Sequence, residues 1–255
     1  MLIDFNDWRK QARKYLQAGD PPERVRWETG NARQPGLFDS IAPEVGESAP
    51  ATYHTVSRVF VNYARLAAQY RSPDRWDLLY RVLWRLTHGE PHLMQVDTDQ
   101  DVMMLRHRAG DVRRDCHKMK AFVRFKALPT DNEPLYIAWF EPRNLILPLM
   151  GKFFTDRFTN MQWQILTPDG SLSWNRSDLQ FDPTPCSNPA LADDFDEIWK
   201  IYYRNTFNPA RLKISAMKQE MPVYYWKNLP EAELINELIR DSGQRVQAML
   251  NTPDE

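Results

Sequence analysis

Val102, Leu105, Ala109, Val112, Cys116 and Met119 follow one another at intervals of three and four residues. Apolar residues at that spacing fall on one side of an α-helix, so this stripe predicts one continuous helix from about 98 to 121 with that side in a core. Gly110 lies inside it and weakens it by about 1 kcal/mol relative to alanine. The stripe is long enough to carry the helix past that point. Cys116, as a member of the stripe, reads as packing rather than as a nucleophile.

Helical signals precede this element. Asp4 can cap a helix in which Phe5, Trp8, Ala12, Tyr15 and Leu16 recur, closed by Gly19 and the prolines at 21 and 22. A short strand, Val25 to Trp27, is expected next. Residues 29 to 50 lack periodicity and read as a long loop. Two further helices are expected at roughly 57–70 and 73–88, the second opened by Ser72 as N-cap with Pro73 in its first turn and ended by Gly89.

From 121 to 181 the signal changes to strand. AFVRFKAL, LYIAWFE, MQWQILT, SLSWN and DLQF alternate or carry β-branched and aromatic residues, and Pro168-Asp169-Gly170 marks a hairpin. Pro148 to Phe158 reads as a helix between the second and third strands. Helix returns at about 192–206, at 209–219 with Asn208 as N-cap and Pro209 at its first position, and at 231–250. The expected class is α+β, an antiparallel sheet in the middle of the chain with helices before and after it. The 255 residues suffice for one domain, or for two lobes of which 1–120 is mainly helical and 121–255 holds the sheet and the C-terminal helices.

A formal net charge of -1 argues against attraction of nucleic acid by the protein as a whole, so any such attraction must come from local patches. Two are visible. Arg106, Arg113, His117 and Lys120 share one side of the striped helix, with Arg114 and Lys118 beside them. Like charges at these spacings repel, a cost that a bound phosphate would remove; the alternative is a solvated face with Asp111 and Asp115 as counterions. The second patch, Trp199 to Pro230, interleaves Lys200, Arg204, Arg211, Lys213, Lys218 and Lys227 with flat aromatic rings, Tyr225 and Trp226 among them, and with one acid, Glu220. Cations hold phosphates and rings stack on unpaired bases, which suits single-stranded or damaged DNA. The other reading is a helix that buries its rings. Asn208 and Pro209 open a helix whose N–H groups can hold a phosphate, with Arg211 and Lys213 in its first turn; Arg211 could instead reach the acidic run at 193–197.

Two cysteines, Cys116 and Cys186, and an opening MLIDFNDWRK without an apolar leader point to a reduced, cytoplasmic protein. No apolar run is long enough for a membrane span. No CxxxCxxC run is present to hold an iron–sulfur cluster, and no glycine-rich phosphate loop to hold a nucleotide. Gly89 and Pro91 keep His88 and His92 off a common helical face, so no metal and no cofactor is expected.

The runs FNPARLK, AM..EMP and YWKNLPEA, together with PPERVRW at 21–27, LLYRVLWRL at 78–86, RRDCHKMKAFVRF at 113–125, IAWFEP at 137–142, FFTDRF at 153–158 and MQWQILTPDGSLSW at 161–174, cover nearly the whole chain. In these runs the chain resembles a bacterial family associated with DNA metabolism, itself a domain of unknown function. Members are encoded beside a radical S-adenosylmethionine protein of DNA modification or repair, or are fused ahead of a uracil-DNA glycosylase-like domain. The resemblance implies a DNA repair or modification context, and a chain ending at Glu255 implies the form that works with a separate partner. In that family a histidine usually follows the WFEP run within two or three positions, where this chain has Asn144. Glu141 and His117 are the candidate acid or base groups; Arg113, Arg114, Lys118, Lys120, Arg124, Asn208, Arg211, Lys213, Tyr225, Trp226 and Lys227 are the candidate DNA contacts. The first expectation is a DNA-binding accessory module acting with a radical S-adenosylmethionine or glycosylase-type partner. The alternatives are a base-processing enzyme in its own right and a protein-interaction scaffold without DNA contact.

Overall fold

In the computed structural model, residues 4–27, 55–128, 133–189, 218–229 and 232 are described. The chain divides into two compact units, Met1–Asp115 with Arg143–Ile146, and Cys116–Pro142 with Leu147–Glu255.

The first unit is helical: α1 (Phe5–Ala18), α2 (Arg58–Ala67), α3 (Arg75–Thr87), a 3₁₀ turn (Leu93–Gln95) and most of α4 (Gln100–Phe122). Asp4 caps α1 by accepting the Asp7 N–H at 2.7 Å. At the other end Gly19 takes φ 71°, its N–H bonds to the Leu16 carbonyl at 3.2 Å, and the Asp20 N–H returns to Tyr15 at 3.0 Å. This is the double closure that glycine permits at a helix end. Trp8, Trp76 and Tyr80 are buried, Trp8 stacks on Trp76 with ring centroids 6.1 Å apart, and the Tyr80 hydroxyl donates to the Asp20 carbonyl at 2.7 Å.

α3 begins later than Ser72-Pro73 predicts. Its first residue is Arg75, and the flanking Asp74 makes no side-chain cap. The Asp74 carboxylate accepts instead from Arg108 of α4 at 2.8 Å, and Ser72 donates to that same carboxylate. A tertiary ion pair has taken the group that would otherwise cap the helix.

α4 runs unbroken through Gly110, with Val102, Leu105, Ala109, Val112 and Met119 fully buried. Cys116 is only half-buried, whereas its neighbour Asp115 is 4 % exposed. Asp115 accepts the Asn144 backbone N–H at 2.7 Å, so it serves the interior rather than acting as a surface counterion. Residues 143–146 complete this unit. The Asn144 side chain accepts the Arg71 N–H at 3.1 Å, and the Leu145 N–H bonds to Gln69 at 2.9 Å.

In the second unit five strands lie side by side in chain order: β1 (Lys126–Leu128), β2 (Leu135–Trp139), β3 (Trp163–Thr167), β4 (Gly170–Trp174) and β5 (Leu179–Asp182), with α5 (Leu147–Arg157) between β2 and β3. The sheet is mostly antiparallel and the class is α+β, as the sequence predicts. The exception is β2 with β3, which are parallel, pairing Tyr136 with Trp163 and Ala138 with Ile165. A parallel pair needs a crossover, and α5 supplies it. β1 is shorter than AFVRFKAL suggests because helical bonding persists to Val123, whose N–H reaches the Met119 carbonyl at 3.0 Å. Between β3 and β4 Gly170 adopts φ 138°, and a Cβ there would meet the Asp182 carbonyl oxygen at 2.3 Å. Only glycine fits that turn.

Residues 218–220 are helical, and a 3₁₀ turn follows at Val223–Asn228. The long loop at 29–50, the helix at 192–206 and most of those at 209–219 and 231–250 lie outside the described residues. No helix among the described residues is long and apolar enough to cross a membrane.

Candidate functional site

Three sequence runs meet in the second unit: the end of α4, the WFEP run after β2, and the segment 218–229. Tyr225 is the pivot. It is 3 % exposed, stacks on Phe140 with centroids 5.2 Å apart and planes 16° apart, and meets Phe122 of α4 at 5.7 Å. Its ring is therefore committed to packing, which corrects the reading of Tyr225 as a face for a base. Tyr224 is the ring turned outward, 39 % exposed.

Polar contacts fix the same segment at two further points. The Lys118 ammonium donates to the Glu220 carbonyl, lies 3.5 Å from the Gln219 carbonyl and 3.4 Å from the Glu220 carboxylate, with 14 % of its side chain exposed. Lys118 thus works as an internal anchor, not as a cation held out for phosphate. Glu141 sits just beyond β2, where Pro142 has no N–H to continue a ladder. One carboxylate oxygen accepts the Trp139 indole N–H at 3.0 Å and the other accepts the Lys227 ammonium. The bond to Glu141 raises the Lys227 pKa and holds that amine in its charged form. The Lys227 ammonium also stands 5.3 Å from the centroid of the Tyr224 ring. Trp226 is half-buried, its indole N–H spent on the Met221 carbonyl at 2.9 Å.

The arrangement bears on each candidate. As a carboxylate with two donors in place, Glu141 must give up Lys227 before it can act on a substrate. The His117 side chain is exposed and makes no hydrogen bond or ion pair with any described residue, Glu141 included. Lys120, one turn on from His117, is exposed and lies 4.7 Å from the centroid of Phe153. Arg124 folds back on the end of its own helix, donating to the carbonyls of Ala121 at 2.8 Å and Val123 at 3.3 Å, as cations at helix C-termini do. Arg113 and Arg114 are exposed on the part of α4 assigned to the first unit, where Arg114 pairs with Asp111. Asn208, Arg211 and Lys213 lie outside the described residues.

Phe122 and Phe140, which clamp Tyr225, do not stand out in the sequence. The available signal was their membership of the runs RRDCHKMKAFVRF and IAWFEP, in the second of which Phe140 directly precedes Glu141. Asn144, at the place where the resemblance leads one to expect a histidine, is 6 % exposed and bonded within the first unit. It has a structural task there.

No curated protein and no solved structure matches the chain. Residues 73–231, which contain α3, α4, the whole sheet and the segment clamped on Phe122 and Phe140, match over more than half of the sequence, and the chain belongs to the family described as a domain of unknown function, DUF4130.

Proposed function

We propose that the chain is a DNA-binding accessory module in DNA repair or modification, acting beside a radical S-adenosylmethionine protein or a glycosylase-type partner. The observation that supports it best is how charge is used around Tyr225. Lys227 neutralises Glu141 and Lys118 lies 3.4 Å from the Glu220 carboxylate, so neither acid of the cluster is presented alone to a polyanion. Exposed Lys120 on α4, with the exposed His117 ring one turn before it as a hydrogen-bonding group, and exposed Tyr224 on the 3₁₀ turn then supply a cation, a polar contact and a flat face on two elements joined by the Phe122–Tyr225 contact. Phosphates and an unstacked base call for that combination. The double engagement of Glu141 weighs against a base-processing enzyme, because a general acid or base must be within reach of its substrate proton.

The test is binding of the purified chain to labelled single-stranded, duplex, and uracil- or abasic-containing DNA over a salt series, with a His117→Ala/Lys120→Ala variant alongside. The expected result is affinity that falls with salt, and a log–log slope smaller by about 1 for each phosphate that the variant no longer neutralises. Absence of binding at low salt, or a variant indistinguishable from the parent, would reject the reading and favour a protein-interaction scaffold.

A further inference from the structure

The first unit contains a cavity of about 470 Å³ lined by residues of α1 and α2 and by Leu83 of α3. Its wall is apolar, formed by Phe5, Trp8 and Phe60 among others, and two arginines of α1, Arg9 and Arg13, also line it. Small-molecule sites occupy roughly 300–1,000 Å³, mostly apolar with a few polar groups that fix orientation. This cavity has that size and that division of chemistry.

Two observations point to what would enter it. Arg9 and Arg13 are exposed, stand one turn apart on α1, and form no ion pair or hydrogen bond with any described residue. Like charges at that spacing cost helix stability unless an anion lies between them. The nearest acid on α1, Asp7, is already bonded to Lys10 at 3.2 Å. Independently, the wall beside them is apolar, with Trp8 2 % and Phe60 3 % exposed, so what fills the space must carry an apolar body.

We infer that the cavity binds a small amphiphilic anion, a molecule with an apolar body and one carboxylate or phosphate head. The body fills the space between Phe5, Trp8, Phe60 and Leu83. The head sits between the guanidinium groups of Arg9 and Arg13, which suit a planar carboxylate or a phosphate equally. This site is separate in chain and in chemistry from the DNA surface proposed for the second unit, and neither reading depends on the other.

Isothermal titration of the full chain with decanoate and decyl phosphate, below their micellar concentrations, tests it, with decanol and decyltrimethylammonium as neutral and cationic controls. Both anions are expected to bind at one site and raise Tm, decanol to bind at least tenfold more weakly, and the cation not to bind. Arg9→Ala/Arg13→Ala, which changes only exposed side chains, should lose the preference for anion over alcohol, and Lys10→Ala, outside the cavity lining, should retain it. Failure of both anions to bind, equal binding of decanol, or unchanged anion binding in the double arginine variant would each overturn the inference.

Discussion

The two units spend their charges at different range. In the helical unit Arg85 holds Glu90 at 2.8 Å, Asp99 at 2.7 Å and Asp101 at 3.2 Å, and Arg81 holds Asp101 at 2.9 Å, between residues at most 20 apart in sequence, while Arg108 reaches Asp74 across 34. In the sheet unit Lys118 reaches Glu220 across 102 residues and Lys227 reaches Glu141 across 86. Short-range pairs form as soon as α3 and the start of α4 are in place. Long-range ones need a large loop closed first, an entropic cost that local pairs avoid. The difference makes the helical unit rest more on local pairs and leaves the segment 218–229 held, among the described residues, by the buried Tyr225 and Leu229 and two long-range ion pairs. A segment with few anchors is expected to open first.

The largest effect should come from the helical core. Trp76→Ala removes a side chain that is 1 % exposed and stacked on Trp8, and is expected to destabilise the protein by about 3–5 kcal/mol in denaturant titration. A loss below about 1 kcal/mol would show that this core is not the stable partner of the comparison.

The next effect is the acid response. Arg85 lowers the pKa values of Asp99 and Glu90, and Arg108 lowers that of Asp74. Carboxylates depressed in the folded state contribute stability above their ordinary values near pH 4, and that contribution is lost as pH falls through the depressed ones. Burial raises Asp77, which acts in the opposite direction and disfavours folding as pH rises through the carboxylate range. Three groups oppose one, so stability should fall below about pH 4. Arg85→Ala should reduce stability near neutrality by roughly 1 kcal/mol and flatten that fall, since these pairs are partly exposed and screened. Denaturant midpoints between pH 2 and 7 read both effects.

The smallest effect lies in the long-range pair. Lys227→Ala is expected to cost about 0.2–1 kcal/mol, as exposed ion pairs do, with faster hydrogen exchange confined to residues 221–229. In the parent, the raised Lys227 pKa makes its contribution complete below about pH 10 and lost as pH rises beyond the raised value. The helical unit therefore weakens toward acid and this segment toward alkali. Exchange in the segment no faster than that in β3 would break the comparison.

Most of the fold was legible because it rests on local periodicity. The α4 stripe, the Asp4 and Gly19 ends of α1, the Pro168-Asp169-Gly170 turn and the α5 helix each follow from residues within a few positions of one another. The site was legible only as a set of runs. That Lys118 and Glu141 bond to segment 218–229, that Tyr225 packs while Tyr224 faces out, and that Asp115 rather than Cys116 turns into the interior depend on partners 29 to more than 100 residues away.

By itself the sequence determined the α+β class, the order of helices and strands, and membership of a family whose match spans residues 73–231. Tertiary structure decided which cations are spent and which remain. An isolated helix or strand carries the same charges whatever surrounds it, and only the approach of distant carbonyls, carboxylates and rings distinguishes the anchored Lys118 from the exposed Lys120 two residues later. The same holds for the parallel pairing of β2 and β3, which no short window contains, and for the cavity beside Trp8, which exists only where α1 and α2 meet.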